Sequence, residues 1–248
     1  MDASADSTDV WVAGADGFRD GWVVVLHRSA TGTTRCRTID GVDALLSLPE
    51  SPVVIGVDMV IGCPDAAEPG GRACDRAARQ LLGHPRGTSV FSPPAYGALQ
   101  ADTYDEAQRR NRASGPDAPG LTKQTFHLVP KLRALAEHVT PERQDRVREV
   151  HPELSFYAMN GDTPMPDSKH TDAGRRARLD LLVDHGFPDV ETTMDALAGG
   201  SLGADDVIDA YAACWTARRI HEGTAERYPP RSADAPTNAR GLRMEIWR

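Results

Sequence analysis

Residues 10 to 26 read VWVAGADGFRDGWVVVL, and the punctuation inside this stretch decides the fold class. A first apolar run, Val10 to Ala15, ends at Asp16-Gly17, and a second, Trp22 to Leu26, begins just past Asp20-Gly21. Two short apolar runs joined by turn residues predict a β-hairpin or a longer-looped equivalent. Working outward, residues 33–39 add a third strand, and the apolar spacing from Val42 to Leu48 is helical. Pro52 then introduces Val53, Val54, Ile55, Gly56 and Val57, the unbroken apolar run of a strand covered on both faces. Asp58 follows it directly. Strands interleaved with helices in this order imply an α/β domain built on a mixed sheet.

Beyond Asp58, residues 70–82 read as a helix stopped by Gly83 with Pro85 following, the pattern of a glycine C-cap. Thr88 to Gly120 holds Pro93-Pro94, a helix-like stretch around Tyr104 to Arg112, and a loop from Ala113 to Gly120. Together with Lys123 to His138, a helix that Pro130 should kink or restart, it reads as an insertion over about 65–145. A strand at 146–150 runs into HPELSF, an Arg-bearing helix spans 171–185, and residues 205–221 form the clearest helix. Ile208, Tyr211, Ala212 and Trp215 share one apolar face of that last helix. Residues 242–247 add an edge strand, and no internal repeat is visible. The expected organisation is a disordered tail at 1–9 and one domain over 10–248, the insertion included.

The 248 residues carry a formal charge of −8, and all but three of the 28 basic residues are arginine; the lysines are Lys123, Lys131 and Lys169. Overall charge therefore excludes non-specific binding to nucleic acid, and any phosphate contact needs a local arginine patch or bridging cations. Cys36, Cys63, Cys74 and Cys214 have neither CxxC spacing nor the pairing of a secreted scaffold. No apolar h-region opens the chain and no stretch approaches 18 apolar residues, so a cytoplasmic protein without a membrane partner is expected.

Four carboxylates sit at the edges of apolar segments: Asp16, Asp58, and Asp206 with Asp209 three apart on a helix. Phosphodiester hydrolysis with two divalent cations roughly 3.5 to 4 Å apart requires such oxygen ligands. Each position also has a plainer reading. Asp16-Gly17 and Asp20-Gly21 suit turns, and Asp205 or Asp206 suits a helix cap. Asp58, directly after a buried apolar run, has no turn role, and Asp209 lies a full turn inside its helix. Glu149 and Glu153 bracket His151 and offer a further ligand or a general base, with Glu149 favoured because strand alternation sets it beside an apolar residue. Arg72, Arg76 and Arg79 fall at i, i+4, i+7 as a basic stripe, and Arg175 opens another basic helix. These are the candidate phosphate contacts, although such a stripe is more often a solvated, ion-paired face. Lys169, in the turn SKHT, is placed to balance a phosphate or a leaving group.

Several segments together resemble the ribonuclease H-like nucleases grouped as domain of unknown function 429. They are GADGFRDGW at 14–22, VDMVIGCP at 57–64, CDRAAR at 74–79, SVFSPP at 89–94, Gln124 with Pro130-Lys131, EVHPELSF at 149–156, SKHTDAGRRARLDLL at 168–182, DDVIDAYAA at 205–213 and GLRMEI at 241–246. The resemblance implies a ribonuclease H-like fold: a mixed five-stranded sheet, helices on both faces and a helical insertion. It also implies Asp16, Asp58, Asp206 and Asp209 as metal ligands, Glu149 as the acidic residue of the fifth strand, and Mg²⁺ or Mn²⁺ as cofactor. The expected substrate is nucleic acid, and a homodimer is left open. CDRAAR and SVFSPP depart from a resolvase and imply a narrower channel or another substrate. Two rival functions share the fold: a phosphotransferase of the actin and sugar-kinase type, and a non-catalytic module holding a ligand at its HPE and SKHT segments.

Overall fold

The computed structural model describes residues 9–197 and 200–248. Of the expected N-terminal tail, residues 1–8 lie outside the described residues; Asp9 is held by Arg28 at 2.6 Å. The chain forms two compact units. The first takes the chain as far as Asp58, then Arg146–Ala225 and Trp247–Arg248; the second takes Met59–Asp145 and Glu226–Ile246.

The first unit is a mixed α/β layer structure. Strands β1 (Trp11–Phe18), β2 (Gly21–Arg28), β3 (Thr34–Ile39), β4 (Val54–Asp58) and β5 (Val147–Glu149) form one sheet in the order β3-β2-β1-β4-β5, with the short helix α1 (Val42–Leu46) between β3 and β4 in the chain. β1, β2 and β3 pair antiparallel, whereas β4 and β5 run parallel to β1. The hairpin is tighter than the sequence suggests. Phe18 pairs with Gly21, so Arg19-Asp20 is the turn, and Asp16-Gly17 lies within β1 opposite Val23 and Trp22. The turn reading of Asp16 is thereby corrected: β1 continues through its Asp-Gly because Asp16 has ladder partners on β2 and β4 and Gly17 has one on β2.

The sheet is apolar on both sides, as its unbroken runs require. α8 (Ala204–His221) crosses one face, packing on β1, β4 and β2, with α5 (Pro152–Met159), α6 (Asp172–Asp184) and α7 (Val190–Leu197) against it. Two glycines set how closely it approaches. Gly14 and Gly56 are direct neighbours on β1 and β4. A Cβ at Gly14 would come within 2.0 Å of the Cys214 nitrogen, and one at Gly56 within 2.6 Å of the Ala213 carbonyl. Bare backbone on the sheet and small residues on the helix let α8 sink between the strands, burying it from Val207 to Ala217. Leu179 and Leu182 of α6, Phe187 after it and Val190 at the start of α7 close the core beyond it.

The second unit is largely helical, with α2 (Ala73–Leu82), α3 (Tyr104–Ala113) and α4 (Lys123–His138). Gly83 ends α2 at a φ of 61°, and Thr103 and Thr122 cap α3 and α4 through their hydroxyls. Pro130 neither divides nor restarts α4, which runs through it as one helix with the proline on its exposed side. The expected edge strand at 242–247 shortens to Ile246–Trp247, where Trp247 bridges Val150. Helices α5 and α7 are absent from the sequence reading. α5 starts where HPELSF places Pro152 in the first helical turn, a position whose missing N–H costs nothing. No described helix is long and apolar enough to cross a membrane.

Candidate metal centre

The parallel pairing of β1 with β4 sets Asp16 beside Asp58, both on the α8 face and both at the carboxyl ends of their strands. Open α/β sheets bind ligands at that edge. The close seating of α8 then brings Asp209 over the pair. Carboxylate oxygens of Asp16, Asp58 and Asp209 all lie within 4.8 Å of one another. Asp16 and Asp209 are buried, at 8% and 3% exposure, while Asp58 is partly exposed and gives the cluster its opening. The Asp16 carboxylate is oriented by the Gly17 N–H, which donates to its Oδ1 at 2.6 Å.

Three carboxylates this close cannot all be charged in a dry site without compensation. Burial, then Asp58, Asp209 and Asp206, push Asp16 well above the usual carboxylate range, against a smaller opposing effect of Lys169. Burial and the charges of Asp209, Glu149 and Asp206 push Asp58 up to about 8. Asp209 is raised as well, mainly by burial and despite Lys169. Lys169 Nζ donates to Asp209 Oδ2 at 2.5 Å. Burial works against its charge, but Asp209, Asp58 and Asp16 hold its proton more firmly than usual. Lys169 thus meets the cluster through one of its own carboxylates, as an internal counter-ion.

Asp206 caps α8, its Oδ2 accepting the Gly203 N–H at 2.7 Å, and its charge reaches Asp16 and Asp58. Glu149 pairs with Val57 across β4 and β5, so its side chain leaves the sheet on the face opposite Asp16 and Asp58. It is buried and felt by Asp58, yet it does not join the three clustered carboxylates. Glu153, which strand alternation set behind Glu149, is comparably buried. It is buried at the first turn of α5, its charge acts on Asp209, and Arg178 Nη2 donates to its Oε1 at 2.6 Å. Arg178 is fully buried on α6, where its Nη1 also donates to the Gly174 carbonyl. Alternation along β5 could not reveal this, because Glu153 already belongs to a helix.

The arginine candidates separate. Arg175 lies 3.8 Å from Asp205. Arg72, Arg76 and Arg79 belong to the second unit and do not form a solvated stripe. Arg72 precedes α2 and is buried, donating to both oxygens of Asp75 and to the Ile61 carbonyl. Arg76 pairs with Glu68 at 3.0 Å. Arg79 donates to the carbonyls of Val90 and Gly70 and to the Ser92 hydroxyl. The stripe fails because Arg72 sits at the cap, where the chain has not yet entered helical geometry.

No curated protein and no solved structure matches the chain. One family model matches residues 14–234, a span that includes the three clustered aspartates, Lys169, Glu153 and helices α2 to α4 of the second unit. The chain belongs to the family described as proteins of unknown function DUF429.

Proposed function

We propose that the chain is a divalent-metal-dependent nuclease on a ribonuclease H-like scaffold, hydrolysing phosphodiester bonds of nucleic acid by a two-metal mechanism. The observation that carries this reading is the convergence of Asp16, Asp58 and Asp209, from β1, β4 and α8, within 4.8 Å. Their donor set is carboxylate oxygen throughout, with no His or Cys among them, which fits a hard cation such as Mg²⁺ or Mn²⁺. Bound cations would supply a water of lowered pKa and Lewis-acid stabilisation of charge at phosphorus. The mixed sheet, with β1 at its centre carrying the first aspartate, supports the ribonuclease H-like assignment.

The protein's own groups do the rest. Asp16 and Asp209 are held in a water-poor pocket, where charge interactions are strong. Asp58 faces the opening through which a phosphodiester would enter. Lys169 keeps a positive charge at Asp209 and stands ready to follow a phosphate oxygen or leaving group. Asp206 adds negative charge behind the three aspartates while it caps α8, and it would assist in holding a second ion.

The test is cleavage of end-labelled DNA and RNA with Mn²⁺, with EDTA, and by the Asp16→Asn variant. Metal-dependent cleavage that the variant loses while keeping its fold is expected. Equal cleavage by variant and parent would remove the assignment, as would saturable ATP binding with phosphoryl transfer and no cleavage.

A further inference from the structure

The second unit contains a cavity of about 640 Å³, within the range that accommodates a small organic molecule. Its wall is made from segments that the acidic cluster leaves unused: Arg79 of CDRAAR, residues 89–93 of SVFSPP, and Gln124 at the start of α4. Among the described residues no Asp or Glu lines it, in a chain with 36 acidic residues.

Arg79 is its one charged wall residue. It is half-buried and, among the described residues, pairs with no carboxylate, whereas Arg72 has Asp75 and Arg76 has Glu68. Its hydrogen-bond partners are all neutral: the Val90 carbonyl at 2.8 Å, the Gly70 carbonyl at 2.5 Å and the Ser92 hydroxyl at 2.9 Å. Three of five N–H donors are thereby used, and one on each terminal nitrogen is left over. A guanidinium fixed by neutral acceptors beside a cavity is a preorganised receptor for an oxyanion, since its orientation is already settled before a ligand arrives. Phe91, partly exposed, and Leu128 give the same cavity an apolar side, and among the described residues the exposed Gln124 amide has no hydrogen-bond partner.

From the uncompensated Arg79 and the aromatic wall we infer that this cavity binds a small ring-bearing organic anion, its phosphate or carboxylate head on Arg79 and its ring against Phe91. Binding requires no metal and none of the aspartates of the first unit.

Calorimetry on the full chain in EDTA tests it with phenyl phosphate, phenylacetate, adenosine 5′-monophosphate and uncharged adenosine. Submillimolar binding of at least one anion is expected, with adenosine at least tenfold weaker than its monophosphate. Preference for phenyl phosphate over phenylacetate identifies a phosphate head, and the reverse a carboxylate. R79Q should weaken the anion by about tenfold or more, the scale of a lost charged hydrogen bond. L128W, which adds bulk to the cavity from α4 while leaving Arg79 and its three acceptors in the sequence unchanged, should do the same and decides the matter if R79Q does not fold. Failure of every anion to bind, or binding unchanged in a folded variant, would overturn the inference.

Discussion

Replacing Gly14 by alanine tests how closely α8 must sit on the sheet. The new Cβ would lie 2.0 Å from the Cys214 nitrogen and 2.3 Å from the Ala210 carbonyl oxygen. Both are backbone atoms of a helix buried from Val207 to Ala217, and neither can swing aside as a side-chain tip can. The helix must therefore retreat by roughly 1.5 Å before ordinary contact is restored. Overpacking costs about 1–3 kcal/mol where the surroundings yield. Here a whole buried helix has to move, so about 3 kcal/mol is expected, or roughly 6–12 °C in Tm for a chain of this size. The same retreat draws Asp209 away from Asp16 and Asp58, so stabilisation by Mn²⁺ should fall with it. Thermal denaturation with and without MnCl₂ reads both effects. Gly97→Ala is the control: no atom lies within 4 Å of its Cβ position, and it should melt within about 0.5 kcal/mol of the parent. A Gly14→Ala protein that melts with the parent and keeps its full response to Mn²⁺ would show that α8 does not depend on the bare backbone at Gly14.

Four further outcomes follow from the same geometry. The raised Asp58 means the folded, metal-free protein holds more protons than the unfolded chain between the ordinary carboxylate value of 3.8 and about 8. Its contribution to stability is therefore complete below that window and lost as pH rises through it. Because a cation replaces those protons, Mg²⁺ or Mn²⁺ should raise Tm more at pH 8 than at pH 6; an equal or opposite dependence in calorimetric scans would contradict the clustering. Asp16→Asn removes one of three crowded charges and should raise the metal-free Tm at pH 8 while abolishing the Mn²⁺ increment, with no change at all in either counting against it. Lys169→Met deletes the counter-ion 2.5 Å from Asp209 and should lower metal-free stability by about 1–3 kcal/mol, a loss that Mn²⁺ partly restores in denaturant titrations. Arg178→Met strands the buried Glu153 and should destabilise by about 3–5 kcal/mol; Arg178→Met with Glu153→Gln should recover part of that, and a double variant no better than the single would dismiss the pairing.

Much of the scaffold was legible because short-range chemistry dictates it. The apolar runs at Trp22 to Leu26 and Val53 to Val57, with helical spacing in 205–221, gave strands β2 and β4 and helix α8 close to their observed limits. The failures are equally local. Asp16-Gly17 has the composition of a turn, but ladder partners on both sides keep it extended, so its tertiary setting overrides the pair's own preference. HPELSF is helical without a clear apolar period because α5 is buried on nearly every side, whereas α7 has one in Val190, Met194 and Leu197 but spans only 8 residues, too few for it to stand out.

For the candidate site, residue order alone picks out the carboxylates at the ends of buried elements, and three of the four aspartates so marked lie together. Choosing among the remaining acids needed the tertiary structure. Glu149 and Asp58 are near neighbours in the sheet, yet strand parity turns one away from α8 and the other toward it. Glu153 reaches Asp209's surroundings through the packing of α5 against α8, and Arg79, unlike Arg72 and Arg76, pairs with no carboxylate among the described residues. Residue type and spacing encode which backbone conformation each segment prefers. The meeting of groups remote in sequence depends on how closely packed elements can approach, which here comes down to the missing side chains at Gly14 and Gly56.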